Sequence, residues 1–525
     1  MGQYGNPLPD GWAWTTLGDV AFVNPRDREA AELPSDLLVT FVPMAAVDGD
    51  VGAITEPRQR PLADVRKGFT SFADGDVLFA KITPCMENGK AAIARNLING
   101  RGFGSTEFHV LRPHADTLPE WLFYFVRREE FRREAKANFA GTAGQLRVPV
   151  SFVADHLLPL PPLAEQHRIV AAIEEHLTRL DAGVAALMRA GAKLRRYKAA
   201  VLKAACEGRL VPQDPNDEPA GVLLQRILAE RRAKWEADEL AKLRAKGKEP
   251  LGDAWKLKYE EPKGPDTTGL PGLPQGWCWA KVEQLNPADR ACAYGVLQPG
   301  ADLADGVPFL RIGDIDEGKI DIGGMKRIDP RIAAQYPRTK LRGGEVVITL
   351  VGTIGRTAVV PSALAGANTA RAVGVIPLTR ALDAHWIEIW FRNPEKVRDM
   401  TSKAHEVARK TLNLEDVRDA VVALPPLVEQ QRIVAEVERR LSVVEEMETA
   451  IGANLARAER LRQSILKRAF AGRLVPQDPS DEPASALLAR IRPSPPAPLP
   501  QKERGGRGRG GKRARAGATQ GELEI

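Results

Sequence analysis

Leu160-Pro161-Pro162-Leu163-Ala164-Glu165-Gln166-His167-Arg168-Ile169-Val170-Ala171 returns downstream as Leu424-Pro425-Pro426-Leu427-Val428-Glu429-Gln430-Gln431-Arg432-Ile433-Val434-Ala435. The offset is 424 − 160 = 264, and it is still 264 between Gly208-Arg209-Leu210-Val211-Pro212-Gln213-Asp214-Pro215 and Gly472-Arg473-Leu474-Val475-Pro476-Gln477-Asp478-Pro479. No insertion or deletion separates the copies, and such a repeat constrains the architecture before any local signal does. Proline suits a first helical turn and not a helix interior, so a long helix is predicted to start near Leu163 and another near Leu427. In the first, apolar residues recur mostly in steps of four and three at Ile173, Leu177, Leu180, Val184, Leu187, Leu194 and Val201. The second gives Val437, Leu441, Val444, Ile451, Leu455 and Ile465, with Glu448 standing where the first has Val184. This is a heptad seam, and some 40 residues make a rod of roughly 60 Å. So narrow a stripe needs a partner, for which the other copy is the nearest candidate; two helices of an ordinary bundle are the alternative.

The repeat extends to a globular segment before each rod. Leu8-Pro9-Asp10-Gly11-Trp12-Ala13-Trp14 is echoed by Leu273-Pro274-Gln275-Gly276-Trp277-Cys278-Trp279, an offset of 273 − 8 = 265. In the first segment the turn Gly75-Asp76 precedes a β-rich run, Val77 to Ile82, followed by a polar loop, Thr83 to Lys90, with an Asn88-Gly89 turn pair. Gly104 to Leu111 reads as a turn into a further strand, and Pro119 to about Ala137 as one amphipathic helix. Gly344-Glu345-Val346-Val347-Ile348-Thr349-Leu350-Val351-Gly352-Thr353-Ile354-Gly355-Arg356 is the second segment's glycine-led strand and loop, and His385 to Phe391 its helix. The helix keeps the offset (386 − 121 = 265) while the strand does not (344 − 75 = 269), so the two share a plan and differ inside. Between them, residues 212–221 read as a turn or linker, Leu223 to Lys246 as a highly charged helix, solvated rather than laid on nucleic acid, and 248–272 as an extended connector.

The chain has 525 residues, 43% of them hydrophobic and 27% charged, which suits several globular domains. It holds no apolar run of 18 residues and opens without a basic-then-apolar leader, so a cytoplasmic protein with no membrane partner is expected. Four scattered cysteines form no CxxC, and no metal site is expected. The net charge of +7 is misleading as a sign of nucleic-acid binding: residues 501–525 carry seven basic and three acidic side chains, 7 − 3 = +4, leaving +3 for the rest. The Pro-rich and Arg/Gly-rich end beyond Arg492 is expected to be disordered. The chain contains no G-x-x-x-x-G-K-[ST], no Asn-Pro-Pro-Tyr or Asp-Pro-Pro-Tyr, and no G-x-S-x-G, and Gly102-Phe103-Gly104 reads as a turn rather than a cofactor loop. No catalytic residues are therefore assigned, and a binding protein is favoured over an enzyme.

In this order, twice, these residues resemble the DNA-specificity subunit of type I restriction-modification systems. The duplicated Leu-Pro-Pro-Leu-x-Glu-Gln-x-Arg-Ile-Val, the Gly-Trp-x-Trp starts and the glycine-led strands carry the resemblance, which covers nearly all the chain to about residue 491. It implies an α+β fold: two similar α/β target-recognition domains joined by two long helices that pair as an antiparallel coiled coil, a pseudo-twofold internal repeat. The expected segments are 1–158 and 273–422 for the recognition domains, 159–211 and 423–475 for the spacer helices, 212–272 for a linker with a charged helical insert, and 476–525 for a C-terminal segment with a basic tail.

The resemblance further implies a non-catalytic chain that reads a bipartite sequence in double-stranded DNA and itself binds no cofactor. Two modification subunits would hold S-adenosylmethionine and methylate adenine, and restriction-translocation subunits would use ATP and Mg. Candidate DNA contacts are Lys81, Thr83, Glu87, Asn88 and Lys90 in the first domain and Thr349, Thr353, Arg356 and Arg371 in the second; the alternative for each is a solvated turn or a cap. A coiled-coil adaptor that reads no DNA and a stand-alone methyltransferase are the competing functions. The insert at 222–272 and the Arg/Gly-rich tail depart from the plain family pattern.

Overall fold

The two proline pairs start two helices of equal length: Leu163–Cys206 and Leu427–Phe470 each run 44 residues without interruption, roughly 66 Å at the α-helical rise. The computed structural model describes residues 7–491 apart from 28, 143–144, 251 and 407–409; the Arg/Gly-rich tail lies outside the described residues.

The described residues fold as two compact units, one of residues 7–181 with 459–491, the other of residues 182–458. Each therefore holds the start of one long helix and the end of the other, packed antiparallel. In the first unit Arg168 pairs with Asp481 at 2.5 Å and Asp181 with Arg462. In the second, Arg432 pairs with Asp217 at 2.5 Å and Arg440 donates to Tyr197. Of the seam residues, Ile173, Val201, Val437, Val444 and Ile465 are buried, and Leu177, Leu180, Val184, Leu187, Leu194, Leu441, Ile451 and Leu455 are half-buried. Glu448, the polar member of the stripe, is half-buried too.

Both domains use one sheet plan. In the first, a four-stranded sheet runs Ala21–Val23, Phe108–Pro113, Val77–Ala80, Ala91–Ile93; in the second, the same order is Ala293–Tyr294, Val373–Ile376, Val346–Thr349, Thr357–Val359. A further sheet has four strands in the first domain, Arg58–Pro61, Leu38–Val42, Arg101–Gly104, Thr70–Ala73, and three in the second, Lys326–Ile328, Val307–Leu310, Asn368–Thr369. A short ladder closes each domain onto its rod, Ala13 opposite Leu160 and Cys278 opposite Leu424. The cores match as well. Trp12 meets Trp121 edge-on at 5.8 Å beside Ile169, Ile173 and Phe470, and Trp277 meets Trp386 edge-on at 5.4 Å in the core that holds Ile433, Val437 and Val201.

Three local expectations are corrected. The single helix over Pro119 to Ala137 is two, Pro119–Arg127 and Glu129–Ala137, because Arg128 takes an extended conformation (φ −62, ψ 142). Its guanidinium lies 4.2 Å from the Phe125 ring centroid and 4.7 Å from that of Phe470, a cation–π arrangement. The corresponding break at Asn393 has a different cause: Pro394 follows, and Asn393 caps Glu395 N–H at 3.0 Å.

Second, the charged helix runs Ala220–Ala245 and is not wholly solvated, since Leu223 and Ile227 are buried in the second unit's core. Nor is 248–272 simply extended: a 3-10 turn, Ala254–Lys258, brings Trp255 to within 6.2 Å of Trp235, with Tyr259 at 5.4 Å from the same ring. Burial of aromatic area offsets the loss of chain freedom there. Third, Gly102-Phe103-Gly104 belongs to a strand, and the Phe72 ring fills the space that a Cβ on Gly102 would need.

Candidate nucleic-acid interface

The repeated motif supplies the anchorage on which each domain's outer loops rest. Trp12 Nε1 donates to Glu165 Oε2 at 2.9 Å and Trp277 Nε1 to Glu429 Oε2 at 3.0 Å, all four residues buried. Burial raises both carboxyls above the ordinary range, and the indole bond pulls the other way. The neighbouring glutamine ties the start of the rod to the residue ahead of a domain helix. Gln166 donates to Pro161 O at 3.1 Å and accepts from Leu118 N–H at 3.3 Å; Gln430 does the same with Pro425 O at 2.9 Å and Asp383 N–H at 3.1 Å. The domain start, the helix Pro119–Arg127 or Ala384–Arg392, and the rod are thereby fixed together in each unit.

A second brace points outward. In the first domain Arg127 donates to Gly49 O at 2.8 Å and Asp50 O at 2.9 Å, holding the hairpin of Val47–Asp48 and Ala53–Ile54. In the second, Arg392 lies so close to Gly318 (φ +90), in the hairpin of Ile315–Asp316 and Lys319–Ile320, that a Cβ there would stand 2.6 Å from its guanidinium. Beneath Arg127 lies Phe123, whereas Arg392 faces Glu388, which burial pushes up to about 7 against the opposing pull of Arg392.

The five first-domain candidates share one loop after the strand Val77–Ala80. Thr83 Oγ1 donates to Glu87 Oε1 at 2.6 Å, Lys136 pairs with the same carboxylate, and Arg132 donates to Glu87 O at 2.8 Å. Lys136, with Thr83 after it, holds the Glu87 carboxyl below its usual range. Lys90 Nζ donates to Met44 O at 3.1 Å, Lys81 is half-buried and Asn88 is exposed. Glu87 and Lys90 are thus partly committed to shaping the loop, and Asn88 faces solvent. Arg132 and Lys136, from the helix Glu129–Ala137, brace this loop and were not singled out by sequence.

In the second domain the candidates divide. Thr349 is wholly buried; its hydroxyl donates to Thr353 O and accepts from Arg356 N–H at 3.0 Å, so it shapes the turn and cannot reach a base edge. That corrects its assignment as a contact. Thr353, Arg356 and Arg371 are exposed, and Arg356 lies 3.4 Å from Asp316 on the braced hairpin. Arg371 stands apart from the loop tip, at the rim of a cleft of about 520 Å³ that Tyr294 and Asn413 also line. Sequence gave no role to these two, because residues near 294, 371 and 413 are assembled only by strand pairing.

Comparison with known proteins agrees with this architecture. Residues 9–185 match the type I restriction modification DNA specificity domain. The chain is 32% identical over 347 residues to the type I restriction enzyme EcoBI specificity subunit of Escherichia coli, covering 64% of each. It is 31% identical over 392 residues to the EcoAI specificity subunit of the same organism, covering 65% of this chain and 62% of that one. The matched portion is thus just under two thirds of each relative's length. A solved structure from work on complex assembly and conformational transition of the type I R-M system shares the fold, with a TM-score of 0.61, 23% identity, and coverage of 89% of this chain and 100% of the other. With the motif, the sheet plan and the anchorage all present twice, the chain is similar to type I restriction-modification specificity subunits, and its residues 9–185 match their DNA specificity domain.

Proposed function

We propose that the chain is the specificity subunit of a type I restriction-modification complex, reading a bipartite sequence in double-stranded DNA and catalysing nothing itself. One observation carries this reading: two domains with the same ladders and the same Trp–Glu anchors present different outer loops. Paired rigid scaffolds with variable loops suit recognition of two half-sites, because loops change without disturbing a core. The proposed contacts are Lys81, Thr83, Glu87, Asn88 and Lys90 from the first domain and Thr353, Arg356 and Arg371 from the second. The long helices would set the half-site separation.

Two modification subunits holding S-adenosylmethionine would dock on this scaffold and methylate adenine, and restriction-translocation subunits using ATP and Mg would cleave unmarked DNA. The cytoplasm is the fitting compartment; among the described residues no helix is long and apolar enough to cross a membrane. The test is domain exchange. Replacing residues 1–155 by the equivalent domain of a relative should change one half of the methylated sequence, mapped genome-wide, and leave the other; a change in both halves or in neither overturns the proposal.

A further inference from the structure

The two domains carry one backbone pattern at the outer end of their matching sheets. Lys81 N–H donates to Glu107 O and Val148 N–H to Lys81 O, both at 2.9 Å; Leu350 N–H donates to Ala372 O at 2.8 Å and Leu412 N–H to Leu350 O at 2.9 Å. Lys81 therefore corresponds to Leu350, Glu107 to Ala372, and Val148 to Leu412, which puts Arg147 opposite Thr411 and Pro149 opposite Asn413. The bridges Ile82 to Arg147 and Val351 to Thr411 confirm the register.

What fills this place differs. In the first domain Arg147 spans it, with Nε 2.8 Å from Glu107 Oε2 and a terminal nitrogen 2.8 Å from Oε1. In the second, alanine stands for the glutamate, and the space is the cleft of about 520 Å³. Its rim carries Arg371, exposed and fixed by its backbone N–H on Val296 O at 3.0 Å. Asn413 is exposed at the N-cap of Leu414–Arg418 and makes no capping bond with its side chain. Tyr294 is 51% exposed on an edge strand.

We infer that Arg371, Asn413 and Tyr294 form the base-reading subsite of the second domain, taking purine edges in the major groove. This deepens the DNA-recognition reading and rests on it. Arginine offers two parallel donors, which match N7 and O6 of guanine; asparagine offers a donor and an acceptor, which match N6 and N7 of adenine. The tyrosine ring gives an apolar wall against a base face or a thymine methyl. Ala372, in the place of Glu107, puts no carboxylate into the cleft.

The test uses the full chain assembled with its modification subunit. Arg371→Ala and Asn413→Ala should each weaken cognate DNA binding roughly 5- to 150-fold and broaden the methylated sequence at one position of a single half-site. Arg371→Lys keeps the charge and loses the paired donors, so it should broaden the same position while leaving the salt dependence of binding unchanged. Uniform weakening on all sequences, with the salt slope lowered by about one, would make Arg371 a phosphate contact and overturn the proposal, as would an unaltered methylation pattern. Exchange of residues 273–422 is the parallel arm: if it leaves both half-sites unchanged, the DNA-recognition reading fails, whereas a changed half-site with silent point variants sinks the cleft alone.

Discussion

At the outer end of the first domain, Glu107 and Arg147 bridge across the sheet; at the same place in the second, Ala372 and Thr411 leave a cleft rimmed by Arg371 and Asn413. At the inner end the domains match atom for atom: indole to buried carboxylate, glutamine to proline carbonyl, arginine to aspartate. The difference follows from what each end must satisfy. The inner indole, carboxylate and glutamine groups are buried, and replacing one member strands another without water. Outer side chains hang on a ladder whose N–H and C=O groups pair with one another whatever residue is present. Specificity is free to change there at little cost in stability.

If that division is right, matched inner substitutions behave alike. Ile173 is fully buried and its counterpart Val437 is 2% exposed. Ile173→Ala should cost about 2–5 kcal/mol and Val437→Ala somewhat less, read as lowered denaturant midpoints. Leu187→Ala, at a half-buried seam position, should cost less than either. A negligible effect at one of the two buried positions would break the equivalence of the units.

A smaller effect sharpens the comparison at the anchors. Trp12→Phe and Trp277→Phe each remove the donor from a buried carboxylate, a penalty of about 1–3 kcal/mol. Glu165→Gln and Glu429→Gln keep an acceptor and should cost less. The pH dependence has a definite sign. Burial raises the folded-state pKa of Glu165 and Glu429, so their contribution is most favourable below the unfolded value and declines as pH rises through the folded one. Without the indole the ionised form is worse placed still. The deficit of Trp12→Phe should therefore be larger at neutral pH than near pH 4, seen in thermal melts at both; equal deficits would mean that the indole stabilises only through packing.

The inner end was largely legible in the sequence, the outer end only in part. Helix starts at Leu163 and Leu427 follow from proline's missing donor, and the seam from apolar spacing; both are local properties. Trp12, Glu165 and Gln166 were visible as repeated residues, but the Trp12–Glu165 bond spans 153 positions and the Leu118–Gln166 bond 48, and both exist only in the fold. The break at Arg128 has no proline to announce it and depends on a ring 342 positions downstream, since 470 − 128 = 342. Thr349 looked like a loop contact because a hydroxyl beside glycines suits either a base or a turn, and burial decides for the turn. Tyr294 and Asn413 escaped notice because each is unremarkable alone; the ladders that put Tyr294 opposite Gly374 and Val351 opposite Thr411 bring them to one rim.

The smallest effect is expected at the outer bridge itself. Arg147 holds the Glu107 carboxyl below its ordinary range, and both side chains remain partly open to water. A depressed carboxyl stabilises the fold above its unfolded value and loses that contribution as pH falls through the folded one. Glu107→Gln should therefore lower the denaturant midpoint slightly at pH 7, by less than either inner substitution, and the gap should close below pH 4. Solvent screening limits what such a pair contributes. A loss at pH 7 as large as that of Trp12→Phe, or a gap that persists in acid, would mean that the bridge belongs to the scaffold after all. The contrast between a closed first domain and an open second would then reflect a difference in folding needs and not in what each reads.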